Sequence, residues 1–489
     1  MSERPHVLLV TADHWAGSLL GALGREVRTP TLDYLTRLGT RYPRAYSECP
    51  VCIPARRSLM TGTAPRTHGD REFLPAEPMP PVPTLAQTFR DAGYQAYAVG
   101  KLHVYPQRDR IGFDDALLME EGRSQLGVVD DYETFLGEQG LAGQQFGHGL
   151  SNNDYQWRPW HLPEYCHPTT WASRQMCAAI KRRDPTRPGF WYLSYTSPHP
   201  PLAPPQAYLD LYRDRDVDAP LANEWDSVPF ALQAVREQWP VPDGDTAAVR
   251  RAFYALCTHI DHQLRTVIGT LREERILDDT IILFTADHGD MLGDHGLWAK
   301  RLFYESSARV PMILVGARGG EPVRHNATDQ RLVSLQDVMP TLLSLAGVPV
   351  PASVDGRSMV GAARRDRLYG EFGVAASATR MITDDRYKLI YYPAGNHVQL
   401  FDLTVDPGES IDLADDDRHA SVRRRLESWL LDELYGDDTD WIRDRELVGM
   451  PAPHRLPPLD RGLHGVRGHQ WPPPPLDDDP GRVIGAPEH

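Results

Sequence analysis

The chain alternates short apolar runs with longer amphipathic stretches. Continuous apolar runs are typical of strands that a parallel sheet buries on both faces. They occur at 7–10, 189–195, 280–285 and 310–315, with an alternating run at 94–99. Apolar residues at helical spacing, or good helix formers, predict helices at 30–42, 55–60, 84–93, 248–279 (as one helix or two) and 337–347. The order of strand and then helix predicts an α/β fold with helices on both faces of a large, mostly parallel sheet.

The pattern changes at about residue 368. Short strand-like runs separated by turns predict a small antiparallel sheet, and a helix follows at 419–435. From residue 449 the chain is rich in proline, aspartate and glycine, which predicts little regular structure. We therefore expect a catalytic α/β domain at 1–367, an antiparallel sheet-and-helix subdomain at 368–448 and a proline-rich tail at 449–489. The tail is either disordered or an arm that packs on another subunit of a homo-oligomer.

Composition and charge narrow the class of protein. The 489 residues are 41% hydrophobic and 24% charged, as in ordinary soluble globular proteins. The formal net charge of -15 argues against a nucleic-acid partner, and no apolar run is long enough to span a bilayer. The N-terminus lacks the basic flank and apolar region of a signal peptide, and five cysteines fit a reducing compartment. These features favour a cytoplasmic protein with neither nucleic-acid nor membrane partners.

Chemically capable side chains follow the predicted strands at their carboxyl ends. In open α/β sheets this edge binds ligands, so we expect these side chains to converge. A single aspartate after a strand is more often a helix cap, and a single histidine is more often a satisfied core or surface residue. Repetition at one edge is what favours a site. The residues are Asp13, Lys101, His103, His199, Asp287 and His288.

Two carboxylates and one imidazole form a candidate metal site. Asp13, Asp287 and His288 offer the oxygen and nitrogen donors that suit a divalent cation. Other polar residues offer fixed cations for an anionic substrate and imidazoles for proton transfer. These are Lys101, Lys300, His103 and His199.

Cys52 lies in the stretch SECPVCIPARRSLMTG at 47–62. With Cys49 it forms a C-x-x-C pair, which is found in redox sites and zinc sites. The other cysteines are scattered singly, and a thioredoxin-like unit would be far shorter than this chain. A cysteine-phosphatase loop needs an arginine six positions after the nucleophile, where this chain has Ser58. A remaining interpretation is that Cys52 is a small buried apolar residue.

The motifs resemble those of the sulfatase family, in the alkaline-phosphatase-like superfamily, along most of the chain. Cys-x-Pro-x-Arg followed by Leu-Met-Thr-Gly resembles the family signature, and TAD, GKLH, SPHPP and TADHGDMLGDHGLWAKRLFYESSARVPMIL resemble further motifs. The resemblance implies hydrolysis of a small organic sulfate ester to sulfate and an alcohol. It also implies that a maturation enzyme oxidises Cys52 to formylglycine, whose hydrated aldehyde is the nucleophile.

The resemblance implies a role for each motif residue by position. Cys52 becomes the nucleophile, and Arg56 orients it. The implied ligands of one divalent ion, Ca²⁺ or Mn²⁺ with Zn²⁺ as an alternative, are Asp13, Cys52, Asp287 and His288. The implied sulfate-binding and proton-transferring residues are Lys101, His103, His199 and Lys300, with Lys101, His199 and Lys300 on the sulfate.

The metal-site motif departs from the commonest family pattern. Many sulfatases have Asp-Asp after the first strand and Asp-Asn after the later one, whereas this chain has Asp13-His14 and Asp287-His288. The Asp-His pair is more similar to the choline-sulfatase and phosphonate-monoester-hydrolase branches. Hydrolysis of a phosphonate monoester or a phosphodiester is therefore the alternative activity. A further alternative is a non-catalytic anion-binding protein in which the cysteine stays unmodified.

Two other departures concern the nucleophile segment and the substrate pocket. Ala55 stands where the family usually has serine, and Phe73 stands where relatives often carry an asparagine that contacts the sulfate. No motif identifies the alcohol half of the substrate. Tryptophans are candidates for an aromatic wall around a cation or a ring, although core packing is their commoner role. They are Trp15, Trp157, Trp160, Trp171 and Trp298.

Overall fold

A computed structural model describes residues 4–122, 129–150, 153–225, 228–242, 245–318 and 323–453. Its main sheet has eight strands in the order β5-β4-β6-β1-β7-β8-β2-β9. Strands β5, β4, β6, β1 and β7 run parallel, and β8 is antiparallel to β7. The mostly parallel sheet predicted from the sequence is thus confirmed. Its strands are β1 (His6–Ala12), β2 (Thr40–Arg41), β4 (Gln95–Gly100), β5 (Asp115–Leu118), β6 (Gly189–Tyr195), β7 (Thr280–Ala286), β8 (Met312–Val315) and β9 (Ala327–Thr328).

Helices cover the sheet on both faces, so its central strands are buried along their whole length. Every residue of β1, β6 and β7 is buried, which explains why their sequences are continuously apolar rather than alternating. One layer contains α1 (Pro30–Leu38), α6 (Pro168–Lys181) and α9 (Thr246–Glu273). The other layer contains α2 (Cys52–Thr61), α4 (Leu85–Asp91) and α11 (Val338–Leu345).

Several predicted boundaries differ from the structure. The helix predicted at 30–42 ends at Leu38, because Thr40 and Arg41 form β2 beside β8. Gly39 lies so close to the backbone of Leu314 that a Cβ there would be 2.1 Å from its carbonyl oxygen. The strand predicted at 310–315 begins at Met312. The stretch at 248–279 forms a single helix that ends at Glu273.

The remaining elements connect the layers or form the C-terminal sheet, which is antiparallel in the order β11-β12-β13-β14. The helix predicted at 419–435 is α12 (Ala420–Glu433), which packs on β12 and β13. No helix in the described ranges is long and apolar enough to cross a membrane. The predictions for the tail beyond residue 453 lie outside the described residues. The other strands are β3 (Ala45–Tyr46), β10 (Val333–Ser334), β11 (Leu368–Phe372), β12 (Thr379–Thr383), β13 (Tyr387–Tyr392), β14 (His397–Asp402), β15 (Ile442–Arg443) and β16 (Glu446–Leu447), and the other helices are α3 (Pro65–His68), α5 (Asp131–Glu138), α7 (Gln206–Asp210), α8 (Phe230–Gln238) and α10 (Glu305–Ala308).

One buried cluster joins the C-terminal sheet to the main domain. It combines residues just before α2, residues that follow Lys300 and residues of β11 to β14. At its edge the ammonium of Lys388 donates to Glu305 at 2.6 Å and to Glu409 at 2.8 Å. Its members include Tyr46, Cys49, Val51, Leu302, Phe303, Tyr304, Leu368, Phe372, Met381, Ile390 and Phe401.

Candidate active site

Cys52 is the first residue of α2 and is only 2% exposed. The preceding residue, Val51, is extended and offers no side-chain cap. The N–H groups of the first turn therefore lack side-chain acceptors from the cap residue, which favours a negative charge near Cys52. The helix ends at Gly62, whose φ of 65° is the left-handed conformation that glycine adopts most readily.

The Cys52 thiol is one of four buried donor atoms that lie close together. Asp13, His14, Cys52 and His288 each contribute one ligand-type atom, and these atoms all lie within 4.8 Å of one another. Cys52 Sγ is 3.2 Å from His288 Nε2 and 3.8 Å from Asp13 Oδ1. Strands β1 and β7 are neighbours, so the residues that follow them are brought together at one sheet edge. A carboxylate, two imidazoles and a position-52 oxygen or sulfur fit a divalent cation.

Asp287, the fourth predicted ligand, lies beside this group with both oxygens engaged. Its Oδ2 accepts from Arg56 Nε at 2.9 Å, and its Oδ1 accepts from the backbone N–H of His288 at 3.0 Å. The distance from Asp287 Oδ1 to His288 Nε2 is 3.9 Å. The fourth member of the four-atom group is thus His14 and not Asp287. The sequence pattern does not indicate whether His14 is a ligand.

Arg56 ties the nucleophile helix to the sheet edge. The side chain is 3% exposed and donates from Nη1 to Ser194 Oγ at 2.8 Å and to the Lys101 carbonyl at 2.9 Å. Together with the bond to Asp287, these contacts reach the ends of β4, β6 and β7. The guanidinium thus holds α2 in register with three strands, and the orienting role of Arg56 stays a prediction.

The charges in the site favour the deprotonated forms of its acids. Burial by itself raises the pKa of Asp13, but the Lys101 ammonium, which contacts it directly, holds that pKa well below its usual value. Burial and the Asp13 carboxylate also raise the pKa of the Cys52 thiol, yet the surrounding cations outweigh them and lower it. An anion at position 52 is therefore electrostatically favoured.

His199 and Glu121 lie beside Asp13, with one donor atom of each of the three residues within 4.8 Å of the others. Glu121 accepts from Lys101 Nζ at 2.8 Å, and its Oε1 is 3.6 Å from His199 Nδ1. His199 Nδ1 also lies 2.6 Å from the Pro200 carbonyl, so this nitrogen carries the proton and Nε2 is the second ring nitrogen. Burial lowers the pKa of His199 to about 3, which keeps the imidazole neutral. Glu121 has no sequence signal beyond its place shortly after β5.

His14 links the four-atom group to Lys300 and Asp290. The Lys300 ammonium contacts His14 Nε2 directly, and His14 Nδ1 lies 2.6 Å from Asp290 Oδ2. The hydroxyl of Tyr155 donates to the same carboxylate oxygen. No motif spacing predicts these contacts, because the bonds from Asp290 to His14 and to Tyr155 join distant parts of the chain.

His103 and Phe73 pack together. Their ring centroids are 5.5 Å apart at an interplanar angle of 67°. The backbone N–H of His103 donates to Glu120 Oε1 at 2.9 Å. This bond holds His103 in a left-handed conformation with a φ of 59°. The aromatic ring of Phe73 thus packs against His103, a predicted proton donor.

Comparison with known proteins agrees with this geometry. The chain matches the family model described as "Sulfatase" over residues 5–348, and the model "N-sulphoglucosamine sulphohydrolase, C-terminal" over residues 293–435. It is 31% identical to an arylsulfatase of Clostridium perfringens over 473 residues, which cover 92% of this chain and 98% of that protein. It is also 31% identical to a choline-sulfatase of Rhizobium meliloti over 440 residues, which cover 85% and 83%.

A similar fold occurs in the crystal structure of a phosphonate monoester hydrolase from Agrobacterium radiobacter. The TM-score is 0.75 at 24% identity, with 88% of this chain and 95% of that chain covered. At this level of identity the similarity concerns the fold.

Proposed function

The chain belongs to the sulfatase family and is a sulfuric ester hydrolase, and from that premise we propose that it cleaves a small organic sulfate ester with a formylglycine made from Cys52. The observation that carries the proposal is the position of the Cys52 side chain, 3.2 Å from His288 Nε2 and 3.8 Å from Asp13 Oδ1, at the start of α2. Oxidation would replace the thiol sulfur by a carbonyl oxygen, and the hydrated aldehyde would present two hydroxyl groups there.

The two hydroxyls divide the reaction into two steps. One hydroxyl attacks the sulfur atom in line with the leaving alkoxide and gives up its proton, and the unprotonated Nε2 of His199 relays a proton to the leaving oxygen, which completes the alcohol. The second hydroxyl then loses its proton, reforms the aldehyde and expels sulfate. A serine at position 52 has no second hydroxyl, so it could not release sulfate by this route.

The surrounding side chains support these steps. Asp13, His14 and His288, with residue 52, would hold one divalent ion, Ca²⁺ or Mn²⁺ with Zn²⁺ as an alternative, and Asp287 lies beside them. When bound, such an ion supplies positive charge that favours deprotonation of the attacking hydroxyl and balances the sulfate oxygens. Lys101 and Lys300 are the ammonium groups that border the thiol, and they would bind the sulfate oxygens.

The first test is the mass of the tryptic peptide 45–56 from protein made in its native host. We expect residue 52 to have the mass of formylglycine while Cys49, in the same peptide, stays a cysteine. Cys52→Ala should abolish sulfate release, whereas Cys49→Ala is the matched control and should keep it. A peptide with two intact cysteines in a preparation that still hydrolyses sulfate esters would disprove the formylglycine mechanism.

Hydrolysis of a phosphonate monoester is the alternative that the Asp287-His288 pair keeps open. Both activities would use the same nucleophile. Only the kcat/KM values for the two classes of ester therefore distinguish them. We expect a higher kcat/KM for 4-nitrophenyl sulfate than for 4-nitrophenyl phenylphosphonate. A far higher value for the phosphonate would replace the sulfatase proposal, and binding of both esters by matured protein without turnover would favour an anion-binding protein.

A further inference from the structure

Glu121 places a negative charge beside two of the predicted sulfate-binding residues. Its side chain is 5% exposed, and its Oε1 lies 2.8 Å from Lys101 Nζ and 3.6 Å from His199 Nδ1. Glu121 and His199 also line a common cavity, so the carboxylate borders open space and is not sealed in the core. A carboxylate in this position repels any anion that Lys101 and His199 bind.

This carboxylate is a second counter-charge for one ammonium. The Lys101 ammonium contacts Asp13 directly as well as Glu121, and all three side chains are buried. One positive charge therefore faces two negative charges in this part of the site. Glu121 is not a member of the four-atom group around Cys52, so a divalent ion held by that group would leave Glu121 paired with Lys101. Because water screens buried charges weakly, the carboxylate acts on whatever binds next to it.

The backbone at Glu121 has a conformation that favours glycine. Its φ is 58°, in the left-handed region, and Gly122 follows with a φ of 64°. A residue with a Cβ carries an energetic cost at such an angle. The contacts of the carboxylate with Lys101 offset this cost, which indicates that the site, and not the local backbone, favours glutamate here.

Tetrahedral esters of similar shape differ in their charge. Near pH 8 a sulfate monoester carries one negative charge, as do a phosphonate monoester and a phosphodiester. A phosphate monoester carries two, because its second pKa is about 6. Ammonium groups such as those of Lys101 and Lys300 bind the oxygens of all these esters. The charge of Glu121 repels a dianion about twice as strongly as a monoanion at the same distance.

We propose that Glu121 is a specificity-determining residue that selects esters with a single negative charge and rejects phosphate monoesters. The inference rests on the proposed function, because it takes the transferred group to lie against Lys101 and His199. It also goes beyond that function, since it names the class of tetrahedral ester that the site excludes and the side chain that excludes it.

Binding without turnover provides the first test. Titration calorimetry at pH 8, on Cys52→Ala protein loaded with Mn²⁺ to a measured content, gives the Kd of three esters that share one aryl group. They are 4-nitrophenyl sulfate and methyl 4-nitrophenyl phosphate, which are monoanions, and 4-nitrophenyl phosphate, which is a dianion. We expect both monoanions to bind more tightly than the dianion, although one of them contains phosphorus. Adding Glu121→Gln should lower the Kd of the dianion relative to that of the sulfate roughly 10- to 100-fold.

Turnover provides a second readout, in matured enzyme whose formylglycine content has been measured. Glu121→Gln should raise the ratio of kcat/KM for 4-nitrophenyl phosphate to that for 4-nitrophenyl sulfate about 10- to 100-fold, whereas Glu121→Asp keeps the charge and should stay within about threefold of the wild-type ratio. Glu120→Gln is the matched control, because Glu120 Oε1 accepts the N–H groups of Leu102 and His103 at 2.7 and 2.9 Å. This variant can lower both activities but should leave their ratio within about threefold.

An unchanged ratio in Glu121→Gln, or equal losses on both esters, would overturn the proposal, because a purely structural carboxylate does not distinguish the two charges. If Glu121→Gln does not fold, the order of the three Kd values with Glu121 in place decides. Tighter binding of the phosphate monoester than of both monoanions would then refute the proposal. Protein that binds the esters in the expected order but never acquires formylglycine in its native host would overturn the proposed function and support the role of Glu121.

Discussion

His14 Nδ1 and Asp290 Oδ2 lie 2.6 Å apart, and both side chains are almost completely buried. The carboxylate is itself held by the hydroxyl of Tyr155 and by the backbone N–H of Leu292 at 2.9 Å. A carboxylate in this position keeps the proton on Nδ1, so that Nε2 presents its lone pair to the Lys300 ammonium beside the group around Cys52. Carboxylate–histidine pairs of this kind tune metal ligands from outside the coordination sphere.

Asp290→Ala should therefore weaken metal binding. We expect the Kd for Mn²⁺, measured by titration calorimetry, to rise about 10- to 100-fold because the His14 ring loses its fixed tautomer and orientation. Tyr155→Phe keeps the carboxylate and should have a smaller effect. Asp278→Asn, at an exposed position, is the control. An unchanged Kd in Asp290→Ala would show that the pair has no influence on the metal site.

Arg56 should stabilise the fold as well as the site. Arg56→Ala leaves the buried Asp287 carboxylate without its guanidinium partner, and such losses cost about 3–5 kcal/mol. Urea unfolding of the two proteins measures the difference. Arg25→Ala removes an exposed pair with Asp218 and should cost less than about 1 kcal/mol. Similar values for the two variants would contradict a structural role for Arg56.

Acid should destabilise the protein through His6, far from the active site. Its Nδ1 accepts the N–H of Gly189 at 2.8 Å, and burial lowers its pKa to about 4. The unfolded chain, with an ordinary pKa near 6.5, therefore binds this proton first. The free energy of unfolding should fall as the pH drops from about 6.5 to about 4, by up to about 3 kcal/mol from this residue.

Unfolding curves at pH 7 and pH 5 test this contribution. His6→Asn keeps an acceptor for Gly189 but does not titrate, so its free energy of unfolding should fall less over the same interval. Other buried histidines, such as His167, still contribute to the slope in both proteins. Parallel pH profiles for the wild type and His6→Asn would refute the assignment.

Lys388 should hold the C-terminal sheet to the main domain. Lys388→Met would leave Glu305 and Glu409 without the ammonium that lies between them, so we expect a loss of about 3–5 kcal/mol at pH 7. Adding Glu409→Gln removes one of the two opposed charges and should recover part of that loss. Additive effects in this double-mutant cycle would mean that the residues do not interact.

The sequence patterns predict which residues lie at the sheet edge better than they predict the side chains that hydrogen-bond to those residues. Strands such as 280–285 are continuous apolar runs, and the parallel order brings the residues that follow them together, so Asp13, Lys101 and Asp287 are expected neighbours. Glu121, Tyr155 and Asp290 lie in irregular segments, where no periodicity marks a buried side chain. Their partners are set by how distant loops pack.

The helix end at Leu38 illustrates the same limit. Amphipathic spacing continues to residue 42, but the close approach of Gly39 to the backbone of Leu314 ends the helix. This contact forms only in the tertiary structure, and the local sequence around Gly39 or Leu314 does not indicate it. A cavity lined by Glu121, Trp160 and His199 is likewise formed by several segments, and only the packed chain brings these residues together.

The burial of Cys52 sets an order of events during synthesis. The segment before α2, including Tyr46 and Val51, packs in one cluster with Phe303 and with Phe401 of the C-terminal sheet. The sheet residues leave the ribosome long after Cys52, so this cluster closes only late in synthesis or after it. An enzyme that converts Cys52 would therefore have to act before the cluster closes, because the finished fold leaves the residue only 2% exposed.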